Sequence, residues 1–357
     1  MTRALDRPIR VLIVDDSAIV RKVLSDALRA DPEIDVVGVA ADPFVARDLM
    51  LQHDPDVITL DIEMPRMDGV TFLRRIMAHR PLPVIVVSSV TQSGSTAAID
   101  ALAAGAIEVI AKPGGPYSVG EVADRLRRRM HEIAAAPPLR FGFHARGRME
   151  QEAAHRLGHA EGLILVGASA GGTQAIEAVL SRMPAATPPV LIVQHMPAQF
   201  TRAFAARLDS VCAIHVVEAR GGERLRRGTA YVAPGDFHLT VEAEGVELRT
   251  ALRQDGPVHY QRPSVDVLFH SAARLRGVPI VALLLTGMGA DGADGMVALR
   301  RAGAETIAED EQSCVVFGMP AQAIARGGAA HVATLVAMPQ LVADLLAKRQ
   351  AGDRRAS

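Results

Sequence analysis

Tryptophan is absent from this chain, and its 357 residues include only three tyrosines and two cysteines. The cysteines, Cys212 and Cys314, stand far apart and outside any Cys-x-x-Cys or Cys/His spacing. That excludes a disulfide framework, argues against structural zinc, and leaves both as small packed residues. Net charge is equally scarce, because 39 basic residues face 40 acidic ones. With so even a balance, few aromatics and no helix-turn-helix pattern, direct DNA binding is not expected. Long apolar runs are missing too, and none approaches the ~20 residues that span a bilayer. The opening MTRALDRPIRVLIVDDS has no apolar stretch followed by a small-residue cleavage site. The expectation is a cytoplasmic chain without membrane insertion.

What is present is a series of short apolar runs, each ending on a chemically useful side chain. Hydrophobic residues make up 49% of the chain, enough at this length for two cores. In the first half, runs at Arg10 to Val14, Val36 to Ala40, Val57 to Leu60, Val84 to Ser88 and Glu108 to Ala111 alternate with amphipathic stretches such as GVTFLRRIMAHR. Five strand-helix units of this kind imply a doubly wound parallel sheet. A second pattern starts at Leu163, with strands near Leu163 to Gly167, Val190 to Gln194, Ala213 to Val217, Thr229 to Ala233, Ile280 to Thr286, Thr306 to Glu309 and His331 to Ala333. Between Gly228 and Leu252 the alternation shortens around a turn at Glu244-Gly245, which reads as a hairpin added beside the sheet.

The fold class is therefore α/β, with two doubly wound parallel-sheet domains, flavodoxin-like over residues 8–126 and larger and Rossmann-like over 159–347. Between them, RLRRRMHE and AAAPPLRFGFHARGR lose the apolar rhythm, and Pro137-Pro138 stops any helix. Residues 127–158 read as a linker whose arginines form a solvated or interdomain helix face, and 348–357 as a C-terminal tail.

At the first sheet's edge, Asp15, Asp16 and Asp61 would form an oxygen-rich pocket suited to a hard divalent cation such as magnesium. One of these carboxylates can attack a phosphoryl donor, while Lys112 supplies a point charge and Ser88 a hydroxyl donor to the phosphoryl oxygens. Any single acid here reads equally well as a helix cap. It is the combination that points to phosphoryl chemistry.

In the second half, Gly167-Ala168-Ser169-Ala170-Gly171 has the G-x-S-x-G spacing of a sharp strand-to-helix turn that exposes a serine hydroxyl. His195 ends VLIVQ as the candidate base, and Asp291, in TGMGADGADG, can hold its tautomer. The glycine-rich loop around Met288 offers backbone N–H groups for an oxyanion hole. His331 is an alternative base, but it begins its strand and so belongs to the opposite sheet edge. Asp294 reads as a helix cap, and Arg262, Ser264 and Asp266 in RPSVDVLF as a capped helix start.

DDS, LDIEMPRMDG, SS and KP together resemble the receiver domain of two-component response regulators. GASAGG, QHM, YVAPGDFHL, RPSVDVLF, TGMGADG and EDEQSCVVFGMP resemble the chemotaxis protein-glutamate methylesterase family, whose arrangement also places a receiver first. The resemblance implies Asp61 as phosphoacceptor, Asp15, Asp16, Asp61 and the Glu63 carbonyl as magnesium ligands, and Ser88 and Lys112 as phosphoryl sensors. It implies Ser169 as nucleophile, His195 as base, Asp291 as orienter, Met288 and Ala170 as backbone oxyanion donors, and no cofactor for the ester chemistry. The implied partners are chemoreceptor cytoplasmic helices as substrate and a sensor histidine kinase as phosphodonor. A receiver that blocks the catalytic edge until phosphorylated is the implied regulation. In this family the bond equivalent to Lys112-Pro113 is commonly cis. Two positions depart from the pattern. Val109 replaces the usual aromatic, excluding an aromatic swing there, and Ala170 replaces the usual threonine, leaving only its backbone amide for catalysis. A purely binding output half, or a hydrolase of the same fold with another target, is the competing reading.

Overall fold

A computed structural model of the chain describes residues 7–89, 91–112, 118–135 and 149–356. The chain divides into two compact units, Met1–Gly142 and Phe143–Ser357. Among the described residues, no helix is long and apolar enough to cross a membrane.

The first unit alternates β1 (Ile9–Val14), α1 (Ala18–Arg29), β2 (Ile34–Ala40), α2 (Pro43–His53), β3 (Val57–Leu60), α3 (Gly69–His79), β4 (Val84–Ser88), α4 (Gln92–Ala103), β5 (Glu108–Ala111) and α5 (Val119–Ala135). Its five strands run parallel in the order β2-β1-β3-β4-β5. This is the flavodoxin-like order, and loops leaving β1 and β3 in opposite directions open a crevice at their carboxyl ends. Every residue of β3 and β4 is buried, which is why these strands read as continuous apolar runs. Helix α3 buries Val70, Phe72, Leu73 and Ile76 at helical spacing, and Asp68 caps it by accepting from Thr71 N–H at 2.8 Å.

Three boundaries differ from the sequence expectation. Residues 127–135 complete α5 instead of starting a linker, because Leu126, Met130 and Ile133 continue its buried stripe. Arg125 and Arg129 of this helix are neutralised within the unit. Buried Arg129 meets Glu108 and Glu132, each at 2.6 Å, and Arg125 reaches Glu108 at 2.7 Å. At the far end, Gln151–His159 forms α6, which packs Ala153 and Leu157 inward. Residues 348–356 are likewise helical rather than a tail, since they extend the last helix. Pro137-Pro138 and the Lys112-Pro113 bond lie outside the described residues.

The second unit follows α6 with β6 (Leu163–Ala168), α7 (Gly172–Leu180), β7 (Val190–Gln194), α8 (Ala198–Val211), β8 (His215–Glu218), β9 (Thr229–Val232), β10 (His238–Glu244), β11 (Glu247–Arg253), α9 (Val265–Ala272), β12 (Ile280–Leu284), α10 (Ala293–Arg301), β13 (Glu305–Glu309), α11 (Met319–Ala325), β14 (His331–Ala333) and α12 (Met338–Ala356). Seven strands form a parallel sheet in the order β14-β13-β12-β6-β7-β9-β8. Strands β10 and β11 pair antiparallel as a separate hairpin, turning at Gly245 with φ 62°. Helix α6 joins the fold through α12, where Arg156 bonds Asp344 at 2.8 Å. The middle strands β12, β6 and β7 are buried along their whole length, and Leu165, Val193, Leu284 and Phe269 belong to one core cluster.

Candidate active site and acidic pocket

In the first unit, Asp15 follows β1 and Asp61 follows β3, so the pairing of these strands brings both carboxylates to one edge. Asp15, Asp16 and Asp61 each present an oxygen within 4.8 Å of the others. Lys112 Nζ lies 2.9 Å from Asp15 Oδ2 and 2.8 Å from Asp61 Oδ2. Lys112 is the one group among the described residues that reaches either of these buried oxygens. Burial pushes the Asp15 carboxyl above its ordinary value, although Lys112 pulls the other way. Burial also opposes charge on Lys112, yet its bonds to Asp61 and Asp15 prevail and raise it. Three convergent carboxylates, two of them buried, fit a hard divalent cation. Glu63 N–H donates to Asp61 Oδ1 at 3.1 Å, which brings the Glu63 backbone beside the pocket. Ser88 and Lys112 sit at the ends of neighbouring strands, with Lys112 N–H donating to the Ser88 carbonyl at 2.8 Å. Val109 is buried within β5.

In the second unit the three triad candidates gather at the carboxyl ends of β6, β7 and β12, which are adjacent. Ladder bonds continue one residue past the strands. His195 N–H donates to the Ala168 carbonyl at 3.1 Å, and Ser169 N–H to the Thr286 carbonyl at 3.0 Å. His195 Nε2 lies 2.7 Å from Asp291 Oδ2. Its other nitrogen, Nδ1, is buried without a partner and is the face left for a proton donor. Ser169 is 3% exposed, and Gly171 takes φ 75° to turn the chain sharply into α7. Among the described residues, no acceptor meets the N–H of Ala170 or Met288.

Asp291 is held more firmly than the sequence suggested. Besides His195, its carboxylate accepts from Val265 N–H at 2.7 Å, Ser264 Oγ at 2.7 Å and Asp266 N–H at 3.0 Å. Burial alone would raise its carboxyl, but the hydrogen bond and charge of His195, with the α9 donors, bring it down to about 2. The start of α9 can approach because Gly167 has no side chain, since a Cβ there would lie 2.3 Å from Val265 Cγ1.

Several contributing residues carried no assigned chemical role in the sequence. Ser264 is the N-cap of α9, as expected, and also a donor to Asp291. Thr286 Oγ1 donates to the Ala170 carbonyl at 3.0 Å, and Gln194 Nε2 to the Ser169 carbonyl at 2.8 Å. The capping pattern in RPSVDVLF was the one available signal for Ser264. Nothing local marked Thr286 or Gln194.

Of three lesser expectations, the edge position of His331 holds, and those for Asp294 and Cys212 resolve differently. His331 pairs with Glu305 at 3.1 Å, and both begin their strands on the opposite edge, so His331 is not brought to Ser169. Asp294 is not a cap. Gly292, with φ 89°, occupies that position, and Asp294 lies in the first turn paired with Arg326 at 2.7 Å. Cys212 is partly exposed rather than a core residue, whereas Cys314 is buried. Burial pushes the Cys212 thiol up to about 12, so it is a poor nucleophile at neutral pH.

Fold and site together define a receiver-type unit followed by a parallel α/β unit with a Ser, His and Asp gathered at one edge. The CheB methylesterase family matches residues 164–342, and the response regulator receiver domain family matches residues 11–123. This chain belongs to the CheB methylesterase family. It is 50% identical to protein-glutamate methylesterase/protein-glutamine glutaminase 4 of Anaeromyxobacter dehalogenans, over 90% of each chain. It is 46% identical to protein-glutamate methylesterase/protein-glutamine glutaminase 2 of Pseudomonas aeruginosa, over 97% of this chain and 99% of that one. The Thermotoga maritima CheB methylesterase catalytic domain superposes with a TM-score of 0.51 at 36% identity, covering 52% of this chain and 99% of that domain.

Proposed function

We propose that this chain is a phosphorylation-regulated hydrolase of chemotactic adaptation, removing methyl groups from glutamate γ-methyl esters on chemoreceptors and deamidating receptor glutamines. The observation that carries the reading is the 2.7 Å bond from His195 Nε2 to Asp291, which leaves Nδ1 free beside the strand end bearing Ser169. In the proposed sequence, Ser169 Oγ attacks the ester carbonyl as His195 Nδ1 takes its proton, and Asp291 stabilises the imidazolium. The N–H groups of Ala170 and Met288 receive the oxyanion of the tetrahedral intermediate. Collapse expels methanol carrying the proton from His195. Water, deprotonated by the same imidazole, then cleaves the acyl-enzyme to free glutamate and restored Ser169. With a glutamine substrate the first leaving group is ammonia, and the ester should react faster because methoxide leaves more readily than amide ion.

In the first unit, Asp61 is the proposed phosphoacceptor, with a sensor histidine kinase as donor and Ser88 and Lys112 contacting the phosphoryl oxygens. Asp15, Asp16, Asp61 and the Glu63 carbonyl would hold Mg2+, which neutralises phosphoryl charge when bound. The substrate would be the cytoplasmic helices of a chemoreceptor, placing the enzyme in the cytoplasm. The esterase chemistry is assigned to side chains and backbone alone. The test is methanol release from methylated receptor membranes, with and without a small phosphodonor and magnesium. Wild type should accelerate with phosphodonor, Asp61→Asn should stay at the basal rate, and Ser169→Ala should release none. Methanol release by Ser169→Ala at the wild-type rate would overturn the reading.

A further inference from the structure

Gln194, the last residue of β7, sits between the two proposed catalytic backbones. Its Nε2 lies 2.8 Å from the Ser169 carbonyl oxygen and 3.2 Å from that of His195. One amide, 4% exposed, thus donates to the main-chain carbonyls of both nucleophile and base. Those contacts fix its orientation, since a flipped amide would aim Oε1 at two carbonyl oxygens. In the orientation it adopts, Oε1 is buried without a partner, a standing cost that the donated bonds must offset. Gly172 makes room for the amide, because a Cβ there would lie 2.2 Å from Oε1.

The Ser169 carbonyl also accepts from Gly172 N–H at 2.8 Å. With two donors on its oxygen, the Ser169-Ala170 peptide plane is held against rotation. A trans peptide directs its carbonyl and the following N–H to opposite sides. Holding the Ser169 oxygen on the Gln194 side therefore aims the Ala170 N–H the other way, and no described residue accepts from it. Alanine at 170 has no hydroxyl to share the task, so the direction of this one N–H matters more here.

We infer that Gln194 is a positioning residue for ester hydrolysis: through the Ser169 carbonyl it aims the Ala170 N–H at the developing oxyanion, and through the His195 carbonyl it holds the base in register. The inference rests on the Ser169, His195 and Asp291 reading above. Because the aimed donor meets charge only as the tetrahedral intermediate forms, losing its aim lowers kcat and leaves KM in place.

The experiment measures steady-state methanol release by the full chain, comparing wild type, Ser169→Ala, Gln194→Asn and Gln194→Glu. Asparagine is one methylene shorter and withdraws the amide from both carbonyls without adding charge. Its kcat should fall about 10- to 100-fold with KM within about twofold. Glutamate removes both donors when ionised and regains one when protonated, so its kcat relative to wild type should rise as pH falls, whereas the asparagine ratio stays flat. A packing defect produces no such contrast. Thermal melts check each variant, and the uncharged asparagine variant decides the matter if the glutamate variant does not fold. Gln194 variants with wild-type kcat, or with raised KM at unchanged kcat, overturn the inference while an inactive Ser169→Ala leaves the triad reading intact. An active Ser169→Ala removes the foundation of both.

Discussion

Asp61 and Asp291 are both buried carboxylates at the carboxyl edge of a parallel sheet, yet the two units surround them differently. Asp291 accepts four hydrogen bonds, from His195, Ser264, Val265 and Asp266. Asp61 accepts one from Glu63 N–H, and its other oxygen meets only the Lys112 ammonium, at 2.8 Å, among the described residues. A carboxylate whose lone pairs are filled is suited to orienting an imidazole. One with lone pairs to spare is suited to bind a cation and attack phosphorus. The two sites teach that the count of donors, rather than the residue type, separates the proposed orienter from the proposed phosphoacceptor.

The largest expected break in this comparison is Asp61→Asn. It should abolish phosphoryl incorporation from a small phosphodonor, read by mass spectrometry, while basal methanol release persists. The mirror change, Asp291→Asn, should leave phosphoryl incorporation intact and lower kcat for methanol release about 10⁴-fold, because an amide favours the wrong imidazole tautomer. With its carboxyl held at about 2, Asp291 stays ionised throughout the neutral and mildly acidic range. The carboxyl of Asp291 should accordingly add no titration step of its own to the wild-type pH–rate profile between about pH 5 and pH 8, and an Asp291→Asn variant with the wild-type kcat would contradict the assignment.

A third buried carboxylate sharpens the contrast through stability. Burial pushes Glu309 up to about 7, and the bond from Thr286 N–H at 2.7 Å only partly offsets this. A folded value above the unfolded one means that its contribution is fully present below about pH 4.5 and lost as pH rises through about 7. Glu309→Gln keeps an acceptor for Thr286 and removes the titration. It should gain on the order of 3 kcal/mol over wild type near pH 8 and little below pH ~5, measured by urea denaturation. The smallest effect belongs to Asp294, whose pair with Arg326 is exposed. Asp294→Ala should change stability by less than about 1 kcal/mol and leave methanol release within about twofold.

Much of this architecture was legible beforehand, and the reason is particular. Ser169, His195 and Asp61 each stand at the end of a short, mostly apolar run, the local signature of a strand covered on both faces, so their shared edges could be read off one dimension. The misread stretches were those where charge hid burial. Arg129 made residues 127–135 look like solvated linker, but Glu108 on β5 neutralises it and lets α5 continue. Asp294 looked like a cap because left-handed Gly292 leaves no local trace of the role it takes.

The sequence by itself determined the two parallel sheets and the identities of the side chains waiting at their edges, because hydrophobic periodicity is a short-range property of the chain. Tertiary structure decided how those side chains are satisfied. The α9 donors to Asp291 come from 25 to 27 residues away and need the bare backbone of Gly167 beneath them. The amide that bridges Ser169 and His195 takes its position from the pairing of β6 with β7. Hydrogen-bond partners are chosen by packing between distant segments, and no local pattern records that choice.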